Sequence, residues 1–154
     1  MDHIDRLILD AMQRDARISI ADLATHAGAS TASVQRRLKR MRSDGTIVAE
    51  VAMIDPRRSG FGVTAIITVE LERDSADRVD AFKRRAHSEP QVQQCYCVAG
   101  DTDFVVIAIV RDMEDYEAFT ARFFQDENVR HYRSSIVVSR VKTSARVPVA
   151  EGIR

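Results

Sequence analysis

Residues 28–41 read GASTASVQRRLKRM, and this segment predicts how the first part of the chain folds. Gly28 is expected to end one helix as its C-terminal cap, and Ser30 is placed to cap the next by accepting from the amides of its first turn. Val34, Leu38 and Met41 then recur at helical spacing, which predicts one buried stripe. The stretch therefore predicts two helices joined by a tight glycine turn.

The outward face of this second helix is basic. Residues 30–42 contain five Lys or Arg and no acid, so we expect that nothing compensates this charge. A solvated helix face is the alternative, but such a face usually mixes signs because opposite charges support a helix. Small residues at the start of the helix allow close approach to base edges in a DNA major groove. Arginines further along can form two hydrogen bonds with guanine there. The candidate DNA-binding residues are Ser30, Thr31, Ala32, Ser33, Gln35, Arg36, Arg37, Lys39 and Arg40.

The sequence on either side of residues 28–41 predicts a chain of two domains. Helices over 2–14 and after Ser19 precede the turn, so residues 1–46 are predicted to form a helix-turn-helix domain. Residues 47–56, IVAEVAMIDP, are predicted to form a strand, and 47–60 to link the domains. Arg57 and Arg58 in the linker either touch the DNA backbone or are simply solvated.

Residues 61–154 have a different periodicity. Strands are predicted over 63–71, 92–99, 104–110 and 136–141, and helices over 75–87, with Ser75 as N-cap, and from Asp112 or Met113. The order βαββαβ indicates a ferredoxin-like α+β domain, with four antiparallel strands and two helices on one face, followed by a C-terminal tail. The whole chain is thus predicted to be α+β, with a winged-helix-like N-terminal domain.

The third predicted strand, FVVIAIV over 104–110, is apolar on both faces. A strand of this kind needs cover on both faces, and the helices supply only one. We therefore expect a homodimer whose sheets stack face to face. A monomer with a tolerated apolar patch is the alternative.

Composition and motifs speak against an enzyme. The 154 residues hold 23 basic and 23 acidic side chains, no apolar run near the ~20 residues of a membrane span and no secretion signal, so a cytoplasmic protein is expected. Cys95 and Cys97 share one side of a strand, and packing explains them better than a metal site does. The chain lacks nucleophile-turn and phosphate-loop motifs, so no catalytic residue, metal or cofactor is expected.

One polar cluster stands apart from this background. Gly100, Asp101 and Asp103 occupy the predicted turn between the second and third strands, and Ser134 lies at the predicted start of the fourth. An acidic turn could hold the ammonium of a small zwitterion, and hydroxyls with free amides its carboxylate. The alternative is a plain hairpin turn, for which Gly and Asp are common choices.

Several motifs together resemble the Lrp/AsnC, or feast/famine, family of transcription regulators. They are DHIDRLIL at 2–9, DARIS at 15–19, the turn and helix at 28–41, DGTI at 44–47 and VAGDTDF at 98–104. The resemblance covers residues 2–145. It departs from the family at Thr31, where a proline is usual, and at Ser135, where an aromatic is frequent.

The resemblance implies a regulator that binds double-stranded DNA and responds to an amino acid or related small effector. It places the effector between dimers, at Gly100, Asp101, Asp103 and Ser134, and implies dimers that assemble further, for example into an octamer. Some haem-pathway decarboxylases resemble the same architecture, and His131 with Arg133 could serve such an enzyme. A sensor of amino acids that acts through protein contacts alone is a third possibility.

Overall fold

The computed structural model describes residues 1–72, 76–125 and 127–149. The described chain divides into two compact units, one comprising residues 1–53 and 142–149, the other lying within residues 54–141. Within the described residues, no helix is long and apolar enough to cross a bilayer.

The first unit contains three helices, α1 (His3–Arg14), α2 (Ile20–Ala27) and α3 (Thr31–Ser43). The predicted caps are confirmed: Gly28 ends α2 in the left-handed conformation at φ 60°, and Ser30 Oγ accepts from the Ser33 amide at 3.2 Å. The predicted stripe of α3 is buried among residues of α1 and α2, in a core that includes Ile8, Leu23, Val34, Leu38 and Met41.

The C-terminal tail belongs to this first unit. The Gln13 side chain on α1 donates to the Val147 carbonyl at 3.0 Å and accepts from the Val147 amide at 2.6 Å. Val149 packs against the three-helix core. The sequence-based division assigned the tail to residues 61–154, and it differs from the structure here because these contacts join residues 134 positions apart, which no local pattern reveals.

The predicted strand over 47–56 is absent from the structure, so that prediction was wrong. A strand needs a partner that completes its hydrogen-bond ladder, and no described strand pairs with this segment. Val48 is 91% exposed, and Val51, Met53 and Ile54 are also exposed. The segment is therefore apolar in composition but uncovered.

The second unit is a four-stranded antiparallel sheet with two helices. Its elements are β1 (Val63–Leu71), α4 (Ala76–Ser88), β2 (Val92–Cys97), β3 (Phe104–Val110), α5 (Met113–Phe124) and β4 (Val129–Ile136). The strand order is β2-β3-β1-β4, with every neighbouring pair antiparallel, which confirms the predicted ferredoxin-like fold. The predicted N-cap Ser75 lies outside the described residues.

The fourth strand was predicted over 136–141 but runs over Val129–Ile136, so that prediction was wrong by most of its length. β4 is an edge strand that pairs only with β1, and nearly all its residues are exposed, so it lacks the apolar alternation that marks a half-buried strand. The apolar segment after it has no ladder partner among the described strands, and Val141 is 96% exposed. Ser134 consequently lies near the end of β4 rather than at its start.

The two faces of this sheet differ. One face packs with α4 and α5 into a core that includes Ile67, Val69, Phe104, Val106 and Phe119. The opposite face presents alternate residues of the central strands, among them Ile66, Val105, Ile107 and Ile109, which stay partly exposed. As predicted, the sheet is apolar on both faces, and only one is covered within the chain.

Candidate nucleic-acid interface and effector turn

The helix-turn-helix presents α3 with a small-residue start and a basic outer face. Thr31 and Ala32 are exposed in the first turn, and Gln35, Arg36, Lys39 and Arg40 are exposed further along. Ser33 and Arg37 are half-buried on the flank. The buried stripe at Val34, Leu38 and Met41 fixes this orientation, because it holds the opposite side of α3 against the core.

Two carboxylates of α1 meet the side chain of Arg37. Its Nη1 donates to Asp2 Oδ2 at 2.6 Å and to Asp5 Oδ1 at 2.8 Å, while Nε donates to Ser33 Oγ at 3.3 Å. The Arg37 side chain is only 16% exposed. Arg37 is therefore held by the protein on three sides.

The same buried carboxylate also reaches Arg40. Arg40 Nη2 donates to Asp5 Oδ2 at 2.6 Å, but the Arg40 side chain remains 53% exposed. Arg42 bonds Glu50 in the following segment at 2.7 Å. The expectation that nothing compensates the basic run was wrong, because acids outside the run pair with three of its five cations. Among the described residues, Arg36 and Lys39 form no ion pair.

These contacts decide the charge state of Asp5. Burial by itself would raise the pKa of the Asp5 carboxyl, but hydrogen bonds from Arg37, the Asp2 amide and Arg40 outweigh it and lower the pKa to about 2. The pKa of Asp2 is lowered by the Asp5 amide and by Arg37. Both carboxylates are thus ionised at neutral pH, and they neutralise charge beside α3.

The sequence analysis did not predict the cluster of Asp2, Asp5, Arg37 and Arg40, although the sequence contains one signal for it. Asp2 and Asp5 form a reciprocal capping box: each side chain accepts from the other's amide, at 2.9 and 3.0 Å. Their three-residue spacing at the start of a helix is typical of such a box. The pairing with α3, more than 30 residues away, depends on how the helices pack and leaves no local pattern.

In the second unit, the turn between β2 and β3 is tied to the end of β1. Asp103 Oδ2 accepts from the Leu71 amide at 2.7 Å, and Thr102 Oγ1 donates to the Val69 carbonyl at 2.7 Å. Gly100 and Asp101 are exposed at the tip. Asp103 therefore shapes the turn, and Asp101 is the carboxylate left facing solvent.

Ser134 does not lie next to this turn within one chain. Ser134 pairs with Ile67 on the β4 side of β1, whereas Phe104, directly after the turn, pairs with Val69 on the β3 side. Two strand spacings and two residues along the strand place Ser134 about 12 Å from Phe104. The structure brings Gly100, Asp101 and Asp103 together and leaves Ser134 apart.

Other polar groups of this unit have local partners. Arg133 Nε contacts His131 Nε2 at 3.3 Å on exposed β4. Burial raises the pKa of the half-buried Cys95 thiol, which packs against the sheet core, while Cys97 is exposed. The described residues contain no group of three or more potential metal ligands. An open cavity of about 410 Å³ beside Lys83, His87 and Cys95 includes none of the predicted effector residues.

Comparison with known proteins places both units in one family. The model of the Lrp/AsnC ligand binding domain matches residues 64–147, and that of a winged helix-turn-helix DNA-binding domain matches residues 1–48. An uncharacterised HTH-type transcriptional regulator of Sinorhizobium fredii is 41% identical over 97% of this chain and 89% of its own length.

Solved structures agree with this assignment. An AsnC family transcriptional regulator from Agrobacterium tumefaciens is similar with a TM-score of 0.91 and 30% identity, over 97% of both chains. A transcriptional regulator from Neisseria meningitidis, in complex with L-methionine, is similar with a TM-score of 0.90 and 25% identity, also over 97% of both chains. The chain therefore belongs to the Lrp/AsnC family of DNA-binding transcriptional regulators.

Proposed function

We propose that α3 enters the major groove of double-stranded DNA and reads its sequence. The observation that supports this best is the exposed pair Arg36 and Lys39, which have no acidic partner among the described residues and lie behind the small residues Thr31 and Ala32. Arg can bond guanine through two donors at once, and small residues allow close approach. In this proposal Arg36, Lys39 and Gln35 face the bases, Ser30, Ser33 and Arg40 face phosphates, and Arg37 supports the helix.

Replacing Arg36 tests the proposal. Arg36→Ala is expected to weaken binding to a duplex selected by the wild-type protein by about 1–3 kcal/mol, because a bidentate base contact is lost. Gel-shift titrations would measure this. Arg84→Ala, which removes an exposed arginine from α4, is the matched control. Equal affinities for the two variants would remove Arg36 from the interface.

We further propose that an amino acid or related small effector binds at the turn containing Gly100, Asp101 and Asp103. The exposed Asp101 carboxylate can pair with an ammonium group. Because Ser134 lies about 12 Å from Phe104, directly after the turn, within one chain, a small effector that uses both must bind between copies. The L-methionine complex of the Neisseria relative supports this class of effector.

The effector proposal is tested by thermal unfolding in the presence of each of the twenty amino acids. A ligand that binds the native state raises the melting temperature by mass action. Asp101→Ala is expected to abolish that shift, whereas Glu117→Ala, which changes an exposed residue of α5, is expected to retain it. A normal shift in Asp101→Ala would show that the pocket lies elsewhere.

A homodimer is also proposed. It is supported by the uncovered sheet face containing Ile66, Val105, Ile107 and Ile109, and by the exposed apolar segment that includes Val48 and Met53. A second copy of the chain would bury this surface, and dimers could assemble further. Sedimentation equilibrium is expected to give at least twice the mass of one chain.

The proposed output is a change in DNA affinity rather than a chemical reaction. An effector that favours one assembly shifts DNA binding by its differential affinity for the two states. Among the described residues only Asp5 and Thr120 are buried polar side chains, and both have hydrogen-bond partners within the fold. The comparisons give no support to a haem-pathway decarboxylase. The bacterial relatives support a cytoplasmic location, where the DNA lies.

A further inference from the structure

Asp5 is the one charged side chain that is fully buried among the described residues, and it lies beneath α3. It is 1% exposed and sits among Asp2, Arg37 and Arg40. Burying a carboxylate is costly unless charged partners and hydrogen bonds compensate it. Here its two oxygens accept from Arg37, Arg40 and the Asp2 amide, all within 3.0 Å.

Because of this arrangement, the cations of α3 differ in their acidic partners and in how exposed they are. Arg37 has partners at Asp2, Asp5 and Ser33 and is mostly shielded from solvent. Arg40 is anchored at Nη2, and half of its side chain faces solvent. Arg36 and Lys39 have no ion-pair partner among the described residues. The cations therefore differ in how far they are free to move toward DNA.

We propose that Asp5, assisted by Asp2, is a specificity-determining positioning residue of the DNA-binding unit. It keeps Arg37 away from DNA phosphates and fixes the direction in which Arg40 contacts them. Sequence-independent binding to DNA therefore stays weak relative to binding through base contacts. This rests on the proposed DNA-binding function of α3.

The physical reason is that two kinds of binding respond differently to free charge. Non-specific binding grows with the number of cations that can neutralise phosphates, and its salt dependence counts them. Sequence discrimination depends on a fixed placement of the helix against base edges. Removing the Asp5 charge takes away the acidic partner of Arg40 and leaves Arg37 with Asp2 as its acidic partner, so both arginines are held less firmly. Non-specific binding to phosphates is then expected to increase, and sequence discrimination to decrease.

The test compares Asp5→Asn with Asp10→Asn in the full-length protein. Asp10 lies on the same helix and pairs with Arg14 at 2.6 Å, so its loss also removes one negative charge and frees one arginine, but not beneath α3. Fluorescence anisotropy would measure affinity for a random-sequence duplex pool, and for a duplex that the wild type selects from it, over a range of KCl concentrations.

Asp5→Asn is expected to bind the random pool several-fold more tightly than Asp10→Asn does, with a log–log salt slope steeper by about one for each chain bound. The ratio of selected to random affinity is expected to fall about tenfold. If both variants show the same slope and ratio, the proposal is overturned. A wild-type protein that binds neither duplex would instead overturn the DNA-binding function itself.

Asp2→Asn keeps the test decisive if Asp5→Asn fails to fold. Asn caps a helix about as well as Asp, so the start of α1 is retained while the charge facing Arg37 is lost. The same changes in slope and ratio are expected, at smaller size. A folded Asp2→Asn indistinguishable from Asp10→Asn would contradict the proposal. A merely structural role would lower both affinities together and leave the salt slope unchanged.

Discussion

At the scale of single residues, the basic helix is less basic than its sequence indicates. Of its five cations, Arg37, Arg40 and Arg42 have acidic partners, and two of these share Asp5. The charge that remains free is concentrated at Arg36 and Lys39. A count of charges along the sequence therefore identified a candidate interface but overstated its positive charge, because the neutralising acids lie at the start of α1 and in the segment after α3.

Asp5→Asn is expected to lower the free energy of unfolding at neutral pH by about 2 kcal/mol. The folded-state pKa of Asp5, about 2, lies below its usual 3.8, so the ionised carboxylate favours the folded state. This stability is present above the usual pKa and is lost as the pH falls through about 2. Urea denaturation between about pH 7 and pH 2.5 should therefore show the gap to wild type narrowing below about pH 4.

Asp10→Asn serves again as the comparison, since its pair with Arg14 lies nearer the surface. Surface pairs stabilise weakly, so its loss of stability should be smaller. A gap between wild type and Asp5→Asn that stays constant over the acidic range would contradict the role assigned to the Asp5 charge.

Helices and turns that depend on nearby residues were predicted from local sequence signals. The three helices were predicted from the spacing of apolar residues, and the caps at Gly28 and Ser30 from residue type. Caps act within one turn of the backbone, so a short sequence pattern reveals them. β4 could not be predicted in the same way. Its residues are exposed, and its pairing with β1 supplies the order that its own pattern lacks. The acidic turn was predicted correctly, but its distance from Ser134 depends on strand order.

The C-terminal tail is an element whose role depends on contacts remote in sequence. Gln13→Ala is expected to destabilise the first unit by about 1 kcal/mol, because both hydrogen bonds to the Val147 backbone are lost. The released tail should be cut faster by trypsin after Arg146. Mass spectrometry over a digestion time course would measure the rate.

Gln93→Ala provides the control for this element. Gln93 is exposed on β2 and bonds only the nearby Pro90 carbonyl. Equal cleavage rates in Gln13→Ala, Gln93→Ala and wild type would show that the side chain of Gln13 does not hold the tail.

At the scale of the whole molecule, the sequence leaves apolar surface on both units that the single chain does not cover. The open sheet face near Ile107 and the extended segment near Met53 are examples. A protein that binds DNA through one helix per chain gains from a dimer, because two helices contact two half-sites together. The proposed dimer would therefore bury the uncovered apolar surface and also supply the two helices for DNA binding.

Binding of DNA by the purified wild-type protein decides whether α3 is the DNA-binding helix. Anisotropy titrations with a random duplex pool would measure affinity against KCl concentration, after sedimentation has confirmed the dimer. If Arg36, Lys39 and Arg40 of both chains neutralise phosphates of the random duplex, affinity should fall steeply with salt, with a log–log slope of about −5. Absence of binding at about 50 mM salt, or an affinity that salt leaves unchanged, would contradict the assignment of α3 as the DNA-binding helix.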